Sequence, residues 1–185
     1  FCRNALDFVR VYQPLEGMNN QDEFLEDLAT QVGDIDAIWE PPGKTTKKGF
    51  QTRASLFDQP SGPLVRLQQI FKDQIEKYAE EFAGEDCGFV ISFPKNLNLT
   101  GWSVRLAKGG HQTEHIHAGG WLSGVFYVQI PNPEDPEEGA IELGLWGYDY
   151  PIVRNNYPKQ RYYPTAGSLI LFPSSLFHRT IPFHG

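Results

Sequence analysis

The rhythm of hydrophobic and polar positions changes partway along the chain. Residues 6–13 (LDFVRVYQ) alternate and predict a strand. Residues 21–32 place Phe24, Leu25, Leu28 and Val32 at helical spacing, with Asn20 positioned to cap. Residues 41–62 are polar and carry Gly and Pro, which predicts a loop. The strongest helical signal covers residues 63–83. There Leu64, Leu67, Ile70, Phe71, Ile75, Tyr78 and Phe82 form one apolar face; Ser61 is placed to cap, Pro63 suits the first turn and Gly84 is a natural stop. Beyond Gly84 the period shortens. The stretches CGFVISFP, GWSVRLAKGG, WLSGVFYVQIP, AIELGLW and GSLILFP are short, β-rich and separated by turns. Residues 131–138 (PNPEDPEE) read as a solvated acidic turn between two strands, and no internal repeat or low-complexity tract is visible. The pattern predicts a mainly β (α+β) fold in which two helices pack against an antiparallel double sheet or barrel. We expect a single domain over residues 1–185. Residues 1–84 would support the barrel, and 85–185 would form it and carry the chemistry.

Composition narrows the functional classes. The chain has 185 residues, 40% of them hydrophobic, enough for one core. Its 16 basic and 23 acidic residues give a net charge of −7, with no basic stripe, so a nucleic-acid backbone is not an expected partner. Two cysteines, Cys2 and Cys87, stand far apart in no metal-type spacing. They are expected to be unpaired thiols in a reducing cytoplasm. No apolar run approaches the roughly 20 residues that span a bilayer, and no charged-then-apolar leader is visible. The chain begins at Phe1 rather than Met, so further sequence is expected before it.

Histidine placement carries the chemistry. All five histidines, His111, His115, His117, His178 and His184, fall in the last 75 residues. On a strand, residues two apart point to the same face, so His115 and His117 can share a metal while Ile116 packs the other way. Imidazole suits iron, zinc, copper or nickel. Gly109-Gly110 before the pair and Gly119-Gly120 after it allow the backbone to bend, as it does at a barrel rim. His178 lies 61 residues after His117, behind the apolar strand GSLILFP and the turn Ser174-Ser175. It returns to the first strand only if the intervening strands close a barrel or sandwich. His111, four residues before His115, and His184, near the chain end, are competing ligands. Glu114 lies beside the pair, but strand alternation sends it to the opposite face as a surface charge.

The stretch GWSVRLAKGGHQTEHIHAGGWLSGVFYVQIP, then GAIEL, then PTAGSLILFPSSLFHRTIPF, resembles the 2-oxoglutarate/Fe(II)-dependent oxygenase superfamily, in particular a bacterial and phage branch sometimes fused to tetratricopeptide repeats. The most specific pieces are H-x-H followed by LSGVFYV, and GSLILFP before the last histidine. The resemblance implies a double-stranded β-helix (a jelly-roll, cupin-like barrel) with two flanking helices. It makes His115 the first Fe(II) ligand, puts His117 at the position of the usual carboxylate, and makes His178 the distal ligand. It implies 2-oxoglutarate as co-substrate and oxidative decarboxylation of that keto acid as the driving chemistry.

Two departures stand out. A three-histidine set is neutral where the usual triad carries a negative charge. The arginine that grips the keto-acid carboxylate, normally about ten residues past the distal histidine, would fall beyond Gly185. The favoured expectation is that this arginine lies in sequence beyond Gly185; if another cation does the work instead, Arg105 on the strand entering the site is the expected choice, since Arg binds a carboxylate bidentately. Arg179 follows His178 and should point away. Trp102, Tyr127 and Phe172 are read as core residues that could also line a pocket. Two other readings stay open: a cupin-type three-histidine metalloenzyme that does not use 2-oxoglutarate, and a non-catalytic β-sandwich binding module. The cupin signature is incomplete, because Trp121 and Leu122 stand where its Glu belongs. The substrate is expected to be a small molecule or a peptide, with no nucleic-acid or membrane partner. No segment announces which substrate, or an oligomeric state.

Overall fold

The alternation over residues 6–13 resolves into two pieces. Ala5–Phe8 form one turn of 3-10 helix, whose N-terminal Leu6 N–H donates to Asn4 Oδ1 at 3.2 Å, and strand β1 follows at Arg10–Tyr12. This is a computed structural model, and it describes residues 4–130, 135, 137–148, 150–153 and 157–183. Helix α1 spans Gln21–Asp34 and buries the expected Phe24, Leu25, Leu28 and Val32. Asn20 sits at its N-cap, but the side chain makes no capping bond and donates instead to Glu23 Oε2 at 3.4 Å. Helix α2 spans Pro63–Glu81 with Pro63 in its first turn. The N-cap is Gly62, held at φ 52°, and not Ser61, whose carbonyl accepts from the Leu64 N–H.

Three expectations need correction. The loop expected at 41–62 contains a strand, β3 (Thr46–Thr52), which pairs with β2 (Ala37–Trp39). Two consecutive lysines hide its alternation. A bulge between Lys47 and Gly49, with Lys48 at φ 46°, absorbs an extra residue, so Thr46, Gly49 and Gln51 all reach the buried side. The expected strand CGFVISFP is instead a single helical turn, α3 (Gly88–Ile91). Its apolar residues have another use: Phe89 and Phe93 lie 6.5 and 6.3 Å from the Tyr78 ring of α2. Cys87, at the start of this turn, is disulfide-bonded, and the described residues hold no unpaired thiol. The expectation of two unpaired thiols is thereby overturned at Cys87; Cys2 lies outside the described residues.

The remaining strands are β4 (Val104–Gln112), β5 (Leu122–Phe126), β6 (Ile141–Gly144), β7 (Lys159–Tyr162), β8 (Leu169–Pro173) and β9 (Phe177–Thr180). They build three antiparallel three-stranded sheets in the orders β1-β8-β5, β2-β3-β4 and β7-β6-β9. The acidic stretch 131–138 falls largely outside the described residues.

The apolar run of β8 is explained by its position. Leu169 and Leu171 face α2 and join Phe8, Tyr12, Ile75 and the fully buried Tyr78, whose hydroxyl donates to Phe8 O at 2.7 Å. Ile170 and Phe172 face the other way, into a cluster with Leu6, Ile141, Leu143 and Leu176. A strand covered on both faces needs no polar alternation. Each such side chain, fully buried, contributes about 1.5–3 kcal/mol. Among the described residues no helix is long and apolar enough to cross a membrane.

Candidate metal centre

The site begins where β4 ends. After Gln112 the chain leaves the sheet for two residues, and His115 then makes an isolated antiparallel bridge with His178. The two residues exchange both backbone bonds, His115 N to His178 O at 3.0 Å and His178 N to His115 O at 2.9 Å. Residues directly opposed in this way carry their side chains on the same face. A second tie, His117 N to Ser174 O at 3.1 Å, anchors the other end of the H-x-H. Gly120 makes the close passage possible, since a Cβ there would lie 2.7 Å from Ser174 Oγ.

The three imidazoles therefore converge. Ring centroids are 4.1 Å apart for His115 and His178, 5.0 Å for His115 and His117, and 4.9 Å for His117 and His178. One nitrogen from each ring lies within 4.8 Å of the others. His115 Nδ1 contacts Thr113 O at 2.7 Å, and His178 Nδ1 contacts Leu176 O at 3.1 Å. A carbonyl oxygen can only accept, so each Nδ1 carries the proton and each Nε2 presents a lone pair. Burial disfavours the charged ring throughout. It lowers His115, brings His117 down to about 4, helped by the neighbouring His115, and brings His178 down to about 3.

Neutral, oriented, convergent imidazoles are a donor set that fits one transition-metal ion at about 2.0–2.2 Å per bond, with small side-chain adjustments. The backbone carbonyls behind His115 and His178 hold the rings as the outer partners of metal-bound histidines do.

The other sequence candidates are distributed differently. His111 lies opposite Lys47 on β4, contacts Gly109 O at 3.2 Å and is not in the cluster. His184 is outside the described residues. Glu114 points away, with Lys159 Nζ 3.8 Å from its carboxylate. Arg105 is not brought to the histidines. It lies opposite Phe50 in the β3–β4 register, stacks over that ring at 5.6 Å and donates from Nη1 to Gly33 O at 3.0 Å. Its alternation puts it on the face away from Gln51. Arg179 also faces away, bonded to Glu142 at 2.8 and 2.9 Å. Phe172 is fully buried core with its ring 4.8 Å from His178, and Tyr127 packs at the edge of the same cluster. Trp102 is 39% exposed and lies 5.4 Å from the His117 ring, so it belongs to the rim of the site.

Sequence reasoning missed the opposite wall. A cavity of about 130 Å³ beside His115 and His117 is completed by Trp102, Gln51 and the turn Gly43–Thr45. Gln51 and Lys44 fall in the segment read as loop. The alternation of Thr46, Phe50 and Thr52 around the lysines was the available signal.

Comparison with known proteins agrees with this geometry. Residues 100–185 match the family described as "Putative 2OG-Fe(II) oxygenase". No curated protein sequence matches the chain. Solved structures of similar fold include a prolyl-4-hydroxylase from Pseudomonas putida, with a TM-score of 0.60, 12% identity, and 95% of this chain and 85% of that one covered. HygX from Streptomyces hygroscopicus, with nickel, 2-oxoglutarate and hygromycin B bound, aligns at a TM-score of 0.60 and 14% identity, covering 99% of this chain and 82% of that one.

Proposed function

We propose that this chain, whose residues 100–185 match the family described as putative 2OG-Fe(II) oxygenase, is itself a hydroxylase-type oxygenase of that superfamily in which His115, His117 and His178 hold Fe(II) and 2-oxoglutarate is the co-substrate. The observation that carries the proposal is the convergence of three buried imidazoles, two of them with Nδ1 tied to a backbone carbonyl so that Nε2 faces the common centre. The iron, when bound, supplies oxygen activation coupled to decarboxylation of the keto acid. The chain supplies everything else. His115 and His178 are fixed relative to each other by the backbone bridge, so their separation is set by sheet register. Phe172 closes the inner side of His178 and keeps water from it. The small cavity under Trp102 and Gln51, beside His115 and His117, would leave room for the keto acid next to a metal held by the histidines.

The same bridge, joining the end of β4 to β9, supports a double-stranded β-helix as the architecture of the C-terminal half. One feature favours a second reading, a three-histidine metalloenzyme that does not use 2-oxoglutarate. The donor set is neutral, so a bound Fe(II) keeps its full charge. Aligned on the sequence expectation, the protein would be cytoplasmic, and the disulfide at Cys87 weighs against that reducing compartment.

The test is metal analysis of protein purified without oxygen, followed by measurement of succinate formed from 2-oxoglutarate. Stoichiometric iron with succinate production supports the oxygenase. Iron without succinate, and without a visible charge-transfer band on anaerobic addition of the keto acid, assigns the site to the second reading.

A further inference from the structure

A larger cavity of about 410 Å³ adjoins the small one and shares Lys44, Gln51 and Trp102 with it. Its volume suits a small organic molecule. Ile38, Pro41 and Trp102 give it an apolar wall, and Lys44 and Arg53 are its only charged lining residues among the described residues. No Asp or Glu is among them. This holds in a chain whose net charge is −7, so the two cations do not simply reflect a basic surface.

The hydrogen-bonding groups are biased the same way. Thr52 Oγ1 accepts from Ser103 N at 3.0 Å, and Ser55 Oγ accepts from Phe57 N and Gly101 N at 3.3 and 3.4 Å. Gln51 is 7% exposed, and its Oε1 accepts from the Thr46 hydroxyl at 2.9 Å. Beside the Thr52, Ser55 and Thr100 hydroxyls, which can both donate and accept, the cavity holds three groups that only donate: the Gln51 amide Nε2, the Lys44 ammonium and the Arg53 guanidinium. Arg53 pairs with Asp36 at 3.2 Å, but both side chains are well exposed, at 65% and 80%, and such a pair is weak enough for a ligand to displace.

We propose that this cavity is the substrate site, and that the substrate is a small carboxylate-bearing molecule with an apolar body. The proposal rests on the oxygenase reading for the word substrate. The ligand class itself follows from a wall of donors and cations facing an indole and a proline. The apolar body lies along Trp102, whose ring is 5.4 Å from that of His117, so the ligand is placed next to the histidines.

The experiment uses the full chain and three probes of one shape: phenylacetate, phenylacetamide and phenethylamine. Binding is measured by calorimetry and tryptophan fluorescence, with and without Fe(II). Phenylacetate is expected to bind at least about tenfold more tightly than the amide, and the amine most weakly. The Lys44→Ala, Arg53→Ala double variant should bring the acid down to the level of the amide, and Lys44→Glu, Arg53→Glu should turn the preference toward the amine. Both positions are exposed, so circular dichroism should be unchanged. Equal binding of acid and amide, no binding by any probe, or a preference that survives the double variant overturns the ligand class. Competition between phenylacetate and 2-oxoglutarate overturns the assignment of the cavity to substrate. His178→Ala should leave phenylacetate binding intact while ending keto-acid turnover. Selective binding in a protein without turnover therefore removes only the oxygenase reading, and turnover without selective binding removes only this one.

Discussion

The two faces of the β7-β6-β9 sheet carry two opposite kinds of polar cluster, one residue apart in register. On the inner face, where Leu143 opposes His178, three imidazoles meet with no charge among them and their acceptor lone pairs unused. On the outer face, where Glu142 opposes Arg161 and Arg179, a carboxylate that is only 6% exposed is bonded by Arg161 at 2.8 Å, Arg179 at 2.8 Å and Lys159 at 3.2 Å. Both are dense groups of titratable side chains. The outer one satisfies itself and needs nothing further. The inner one is complete in geometry and incomplete in bonding, and unused valence of that kind marks a site more reliably than the number of polar groups.

The contrast can be broken in order of expected effect. His178→Ala removes the ligand that bridges the two strands. It should cost more than about 100-fold in Fe(II) affinity and end succinate formation, while the apo protein keeps its circular dichroism. Competitive metal titration and a succinate assay check this. Glu142→Ala should do the reverse. It leaves three cations without their shared carboxylate and should cost about 1–3 kcal/mol in denaturant unfolding, with iron affinity unchanged; their partial exposure keeps the figure low.

The third expectation is acid sensitivity. Despite its burial, the hydrogen bonds from Arg161 and Lys159, together with the Arg179 and Lys159 charges, hold the Glu142 carboxyl below its ordinary range. A group whose folded pKa is depressed stabilises the fold above its unfolded value and loses that contribution as pH falls through the folded value. Stability of the native protein should therefore drop below about pH 4.5, more steeply than in Glu142→Gln, as chemical denaturation across that range would reveal. A smaller effect is expected at Arg105. Its bond to Gly33 O and its contact with Phe50 predict a loss of about 0.5–1 kcal/mol in Arg105→Ala, with unaltered 2-oxoglutarate binding. Weakened keto-acid binding in that variant would return Arg105 to the site.

The histidine cluster was legible because it depends on local spacing and one long-range closure. His115-Ile116-His117 encodes a shared face, and the apolar GSLILFP run announces a strand buried on both sides. Helix α2 was legible for the same reason, since seven apolar residues keep one period over five turns. What the sequence concealed lies where tertiary contacts override local pattern. In β3 the lysines and the bulge mask the period, so the wall carrying Gln51 and Lys44 read as loop. Around Phe89 the pattern looked extended, but aromatic packing onto Tyr78 selected a helical turn. The direction of Arg105 was likewise not legible, because it depends on which neighbour the strand pairs with, here Phe50 on the outward row.

The backbone bridge between His115 and His178 has a consequence for assembly of the fold. Sliding β9 by one residue would turn Arg179 inward and His178 outward, and would also take Arg179 away from Glu142, leaving it only Arg161 and Lys159. Such a misfolded form holds only two of the three imidazoles at the centre and adds a positive charge beside them. On the iron-binding proposal, a metal ion would bind it poorly and by mass action would draw the population toward the correct pairing. Iron arriving during folding would thus serve as a proofreader of strand register, rewarding only chains whose last strand has locked in step.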